Sequence, residues 1–190
     1  MKRIYLLLGI FFISTICKAY AGLPLGAYVG LKGGYLSNIS TSAGVGLSTS
    51  SDDNSMFISV SAGARLMRIR GEIEYIKRYN MQKLNFADGK TKNISNDSIM
   101  GNLYYNIFEF PFFRIFVNGG LGTTYYSSKV ITNSPTFSYN VGAGATFTLA
   151  DTASFDVGYR YFNMGKIEIS NSKKLNTYSN DLYFSVRFGF

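Results

Sequence analysis

Apolar and polar positions alternate along most of this chain with a period of two residues. Segment 56–66 has Met, Ile, Val, Ala, Ala and Leu at its even positions, and Phe, Ser, Ser, Gly and Arg at its odd ones. Segment 137–149 repeats the pattern with apolar residues at odd positions. Successive side chains of a strand point to opposite faces, so each segment is predicted to be a strand with one apolar face.

Eight such segments follow one another: 26–36, 55–66, 68–78, 97–107, 113–126, 137–149, 154–163 and 180–190. Each is close to the roughly 10 residues that a tilted strand needs to cross a membrane. The connections alternate between short turns and long polar loops. The short turns are predicted at Met67, 108–112 and 150–153, and the loops at 37–54, 79–96, 127–136 and 163–179. This alternation is typical of outer-membrane barrels, whose long loops lie outside the cell.

Charged residues fall almost entirely on the polar faces of these strands. They are Lys32, Arg65, Arg70, Glu72, Glu74, Arg114, Asp156, Arg160 and Arg187. Only Lys77 is assigned to an apolar face, at a strand end. The pattern predicts an all-β fold, an eight-stranded antiparallel transmembrane β-barrel with a polar, filled lumen and an excess of about three positive charges inside.

Aromatic residues are predicted to form girdles at both membrane interfaces. Tyrosines are assigned to the long-loop ends: Tyr35, Tyr75, Tyr105, Tyr125 and Tyr161. Phenylalanines are assigned to the short-turn ends: Phe113, Phe155 and Phe190. A secreted soluble β-protein would show the same alternation with its apolar face inward, so it remains an alternative; the strand lengths and the export signal favour the membrane.

The first 21 residues have the parts of a secretory signal peptide. Lys2 and Arg3 precede a short apolar run, 4–16. We therefore expect 1–21 to be the signal peptide and 22–190 to be one barrel domain. The residues at the predicted cleavage site are Ala19, Ala21 and Gly22.

Composition removes several kinds of chemistry. The chain has no histidine, and its one cysteine, Cys17, lies in the predicted signal peptide. We therefore expect no His-dependent catalysis, no metal site and no cofactor, and we predict that the protein is not an enzyme. Glu72 and Glu74 could imitate a glycosidase pair, but neutralising inward arginines is the simpler interpretation. Glycine-rich stretches 119–122 and 142–144 lack the strand-to-helix setting of a phosphate-binding loop.

The interior of an eight-stranded barrel is just wide enough for side chains to fill it. Phe57, Met100, Tyr104 and Phe116 are predicted to point inward and help to plug the lumen, although a narrow conduit stays open as an alternative. The sequence pI of about 9.5 could suggest nucleic acid. The export signal and the scattered positions of the basic residues argue against that partner.

Four short segments carry a resemblance that covers the whole mature chain: GAYVG at 26–30, VNGGLG at 117–122, DVGYRY at 156–161 and FSVRFGF at 184–190. In this order they resemble the opacity-protein-like and surface-antigen family of eight-stranded outer-membrane β-barrels. The resemblance implies a location in the cell outer membrane and a surface-exposed barrel with variable loops, often antigenic or adhesive. It also implies no shared catalytic residues.

The final strand ends in aromatic residues at alternate positions, which resembles the signal that the barrel-assembly machinery recognises. The predicted assembly signal consists of Phe184, Val186, Phe188 and Phe190. The leading functional hypothesis is a non-enzymatic surface protein that displays four loops for adhesion, antigenicity or envelope integrity. The alternative is a small porin for ions or very small solutes. Expected partners are outer-membrane lipid and lipopolysaccharide, the assembly machinery and a host-surface ligand, with no nucleic acid.

Overall fold

The alternating segments form the strands of one sheet. The computed structural model describes residues 25–42, 49–50, 55–85, 91–127, 135–150, 152–169 and 173–190. Its strands are β1 (Leu25–Ser42), β2 (Thr49–Ser50), β3 (Met56–Leu66), β4 (Ile69–Asn85), β5 (Thr91–Glu109), β6 (Phe113–Ser127), β7 (Thr136–Ala150), β8 (Ala153–Ile169) and β9 (Lys173–Gly189). The predicted signal peptide and its cleavage site lie outside the described residues. Within those residues, no helix has the length and apolar character needed to span a membrane.

Eight of these strands form the wall of a closed barrel. Each long strand pairs antiparallel with its neighbour in the chain, and β9 pairs with β1 to close the sheet. The two-residue β2 pairs only with β4, at Leu84 and Lys83, and takes no part in the closure. The predicted eight-stranded antiparallel barrel is therefore confirmed. Going round the wall, β4 and β8 are four strands apart in either direction, so they face each other across the lumen.

Apolar side chains cover the outside of the barrel and polar ones fill its inside. Ile73 and Leu121 are 69% and 62% exposed on the outer face, whereas Glu74 is fully buried on the inner one. Phe57, Met100, Tyr104 and Phe116 point inward, as predicted. An apolar outer surface with a polar interior reverses the arrangement of a water-soluble barrel and suits a wall surrounded by lipid.

Two assignments of outer-face residues were wrong. Tyr105 pairs with Ile69, immediately after the turn at Met67, so it lies at the short-turn end and not at the long-loop end. Lys77 is also not the only charged residue on the outer face. Its register partner on β5, Asp97, points outward as well. The outer face therefore carries a cross-strand pair of opposite charges near the long-loop end, which lowers the cost of both.

The strands extend further than the alternation predicts. β4 continues to Asn85 and β5 begins at Thr91, so most of the predicted loop 79–96 is a paired hairpin. The register shifts between Arg78 and Gln82, where the strands pass the end of the alternating segment. Beyond the membrane both faces of a strand meet water, so the sequence there needs no apolar face and the pattern disappears.

Glycines on the inner face make room for aromatic rings. A Cβ built on Gly144 would lie 2.6 Å from Phe116 Cζ, and one on Gly158 would lie 2.8 Å from Tyr183 Cε1. Real Cβ atoms do not approach other atoms so closely. The two rings can occupy these positions only because residues 144 and 158 are glycines without a Cβ. Glycine in a strand interior often marks such a close approach. Phe116 and Tyr183 therefore lie flat against the inner face of the neighbouring strands, β7 and β8.

Candidate functional site: the charged lumen

A first group of charges surrounds two adjacent inward carboxylates on β4. Lys32 Nζ lies 3.0 Å from Glu72 Oε1 and 3.2 Å from Glu74 Oε1. The Tyr104 hydroxyl donates to Glu72 Oε1 at 2.6 Å, and the Tyr28 hydroxyl donates to Glu72 Oε2 at 2.9 Å. Because Lys32 on β1, two strands away, contacts both carboxylates, the pair is not held as an open acid and base.

Arg160 on β8 connects this group to β9. Arg160 Nη1 lies 3.0 Å from Glu74 Oε2, and Arg160 Nε lies 3.0 Å from Asp181 Oδ2. Arg78 Nη2 contacts the same oxygen of Asp181 at 3.0 Å. We call Lys32, Glu72, Glu74, Arg78, Arg160 and Asp181 the Glu74 cluster. Its three bases and three acids balance, as buried charges require.

A second group lies nearer the short turns, around Asp156. Arg187 holds this carboxylate with two nitrogens, Nε at 2.8 Å from Oδ2 and Nη2 at 2.7 Å from Oδ1. Arg70 Nη1 reaches the same carboxylate from β4 at 3.3 Å, and the Thr146 hydroxyl donates to Oδ1 at 2.6 Å. We call Arg70, Thr146, Asp156 and Arg187 the Asp156 cluster. Paired N–H donors on one carboxylate are among the stronger hydrogen bonds in proteins.

The two clusters bridge the lumen at two levels. Arg160–Glu74 and Arg70–Asp156 each join β8 to β4, which face each other across the barrel. Aromatic rings fill the space beside them: the guanidinium of Arg70 lies 3.8 Å from the centre of the Tyr104 ring, and that of Arg78 lies 3.9 Å from the Phe162 ring. These ion pairs span the lumen from one wall to the other.

The nine charged residues predicted for the lumen divide into two sets. Seven are buried inside the barrel: Lys32, Arg70, Glu72, Glu74, Asp156, Arg160 and Arg187. Arg65 and Arg114 are only partly buried, at the short-turn end. There Arg65 Nη2 contacts Glu109 Oε1 at 2.8 Å, and Arg114 Nη2 donates to Thr148 Oγ1 at 3.1 Å.

Sequence reasoning missed two members of the network, Arg78 and Asp181, which are both fully buried. Alternation places Arg78 on the same face as Glu74, and Asp181 on the same face as Arg187, so the signal was present. With them included, five basic and four acidic side chains are buried in the described part of the chain. Arg78 and Asp181 add one charge of each sign, so they leave the predicted excess of three unchanged. Among the buried side chains alone the excess is one, and Arg65 and Arg114 at the short-turn end supply the other two positive charges.

The predicted assembly signal lies on the outside of β9. Phe184, Phe188 and Phe190 are about half exposed or more, on the lipid-facing side. The Phe184 ring stacks on Phe155 of β8 with centroids 6.0 Å apart. The amide of Phe190 donates to the carbonyl of Ala27 at 3.0 Å, so the last residue belongs to the seam that closes the barrel.

A closed barrel with an apolar outer surface and a charged, bridged interior is a transmembrane barrel of the outer-membrane type. The chain matches the family described as "Outer membrane protein beta-barrel domain" over residues 5–190, and it belongs to that family. The protein is accordingly an outer-membrane protein. No curated protein sequence matches it significantly.

Solved structures share the fold. Neisserial surface protein A has a TM-score of 0.64 at 21% identity, with 86% of this chain and 97% of that chain covered. Outer membrane protein H of P. aeruginosa has a TM-score of 0.55 at 18% identity, covering 87% and 99%. Outer membrane protein W of E. coli has a TM-score of 0.54 at 8% identity, covering 89% and 100%. At these identities the likeness concerns architecture alone.

Proposed function

We propose that this protein is a non-enzymatic surface protein whose sealed barrel holds four connections outside the cell, for adhesion, antigenicity or envelope integrity. The observation that carries the proposal is the bridging of opposite walls by Arg160–Glu74 and Arg70–Asp156. A barrel closed at two levels serves as a rigid anchor, so its variable part is the set of connections. The similar Neisserial protein is described by name as a surface protein, which supports the same role.

The absence of enzyme chemistry is part of the proposal. Glu72 and Glu74 both contact Lys32, and both are buried inside the barrel. A glycosidase pair needs room for a sugar between its carboxyl groups and one carboxyl free to deliver a proton. Two neighbouring carboxylates held by a shared lysine meet neither requirement.

A small porin is the second candidate, favoured by the partly buried arginines Arg65 and Arg114 at the short-turn end. These would attract anions to one entrance. Conduction would also require water to pass both charge clusters, and the contacts between β4 and β8 oppose that. Conductance measurements separate the two candidates.

Surface display is tested by labelling single cysteines on intact cells. The mature chain is expected to lack cysteine, because Cys17 lies in the predicted signal peptide, so each introduced thiol is the only one. The two substitutions are Asp88→Cys, at a position between β4 and β5, and Met67→Cys, in the short turn between β3 and β4. A membrane-impermeant maleimide should label Asp88→Cys on intact cells and Met67→Cys only after lysis. The opposite pattern would contradict the orientation on which the proposal depends.

A further inference from the structure

Positive charge is distributed unevenly along the barrel axis. The Glu74 cluster balances, whereas the short-turn end carries five arginines and two carboxylates in the described part of the chain. The arginines are Arg65, Arg68, Arg70, Arg114 and Arg187, and the carboxylates are Glu109 and Asp156. Side chains at this end therefore have an excess of three positive charges.

A cavity of about 400 Å³ lies within this positive region. Arg65 of β3, Arg114 of β6 and Arg187 of β9 line it from three separate parts of the wall. Thr148 and Ser154 line it as well, on the adjoining strands β7 and β8. Its size falls in the range of about 300–1,000 Å³ that small-molecule sites occupy.

The arginines that line the cavity are incompletely paired. Arg114 makes one side-chain hydrogen bond, to Thr148, and has no carboxylate partner among the described residues. Arg65 binds Glu109 and the carbonyl of Met67, and Arg187 binds Asp156 and Thr146. A guanidinium carries five N–H donors, so all three retain donors for a ligand. Keeping Arg114 half-buried beside two other cations costs electrostatic energy that a bound anion would offset.

We propose that this cavity binds a phosphate group at the periplasmic end of the barrel. A carboxylate presents two oxygens in one plane and suits one guanidinium fork, whereas phosphate presents tetrahedral oxygens that three arginines can share. A charge between −1 and −2 also offsets most of the local excess of positive charge. The phosphate can come from a phospholipid headgroup of the inner leaflet or from a free periplasmic phosphate compound.

Binding is measured on the refolded barrel in detergent micelles, by calorimetric titration with inorganic phosphate and with glycerol 3-phosphate. We expect saturable binding to the wild-type protein. The affinity should fall about tenfold in Arg114→Gln, because that variant loses one charged hydrogen bond to the phosphate. The matched control is Arg68→Gln, which removes a positive charge at the same end from a residue that does not line the cavity. Its affinity should stay within about twofold of wild type.

Two outcomes would overturn the proposal: no saturable binding, or an equal loss in Arg68→Gln, which would mean that only the general positive field attracts phosphate. A heat-dependent gel shift checks folding, and Arg65→Gln replaces Arg114→Gln should that variant fail to fold. The source of the phosphate is distinguished in nanodiscs. Weaker phosphate binding in phosphatidylglycerol discs than in micelles indicates a headgroup in the site, and equal affinities indicate a free compound; both results support the cavity as a phosphate site.

Discussion

The strongest single test of the lumen network is the change Glu74→Gln. Glu74 is fully buried and contacts Lys32 and Arg160, and it also accepts hydrogen bonds from Ser59 at 2.6 Å and Asn102 at 2.7 Å. Glutamine keeps the size and can still pair with neutral donors, so the change removes mainly the negative charge.

Breaking a buried ion pair by removing one partner costs about 3–5 kcal/mol, because the other charge stays buried. Arg160 keeps Asp181 and Lys32 keeps Glu72, so we expect the lower limit, about 3 kcal/mol of unfolding free energy. The control is Glu109→Gln, the same chemical change in a pair whose side chains are 29–34% exposed. That variant should lose at most about 1 kcal/mol.

Stability is measured by equilibrium unfolding in denaturant, in micelles of one fixed composition. The chain has 15 tyrosines and no tryptophan, so tyrosine fluorescence and circular dichroism are the suitable probes. A loss below about 1 kcal/mol for Glu74→Gln, or one equal to that of Glu109→Gln, would refute the argument that the buried charges depend on one another.

Three further predictions concern the wall and its closure. Ile73→Arg puts a charge on the lipid-facing side near mid-height and should cost about 2–4 kcal/mol in bilayer unfolding measurements; a neutral result would contradict the assignment of this face to lipid. Gly158→Ala would force its Cβ into the Tyr183 ring and should lower the unfolding free energy by about 1–3 kcal/mol. The control is Gly101→Ala on the outer face, which should be tolerated because its Cβ would lie 3.8 Å from the nearest atom. Thermal melting of both glycine variants checks this, and equal melting would disprove the crowding. Deleting Phe190 should reduce the heat-modifiable fraction in outer membranes, and wild-type amounts of folded protein would count against an assembly role.

The wall could be predicted from the sequence because lipid and lumen impose opposite demands on neighbouring residues. Ile73 and Glu74 are adjacent in the chain and end on opposite faces, one exposed and apolar, the other buried and charged. That contrast repeats in every strand between the interfaces, so all eight wall strands were found. The contrast ends where the strands leave the membrane. The paired ends of β4 and β5 beyond that point were therefore predicted to be a loop.

The pairing of the inward charges could not be predicted. Alternation shows that Glu74 and Arg160 both point inward, but these residues are 86 positions apart and meet only because β4 and β8 face each other at matching heights. Height depends on the stagger of all the strands between them, which no local pattern carries. For the same reason, no local pattern predicts that unbalanced charge collects at the short-turn end, around Arg114.

The measurement that tests the sealed-barrel account most directly is single-channel recording of the refolded barrel in a planar bilayer. With opposite walls joined by Arg160–Glu74 and Arg70–Asp156, the wild-type protein should insert and show no stable, reproducible open level. The fraction of folded barrel in the bilayer is confirmed by the gel shift. A steady open level of uniform size in the wild-type protein would contradict the account and favour a porin.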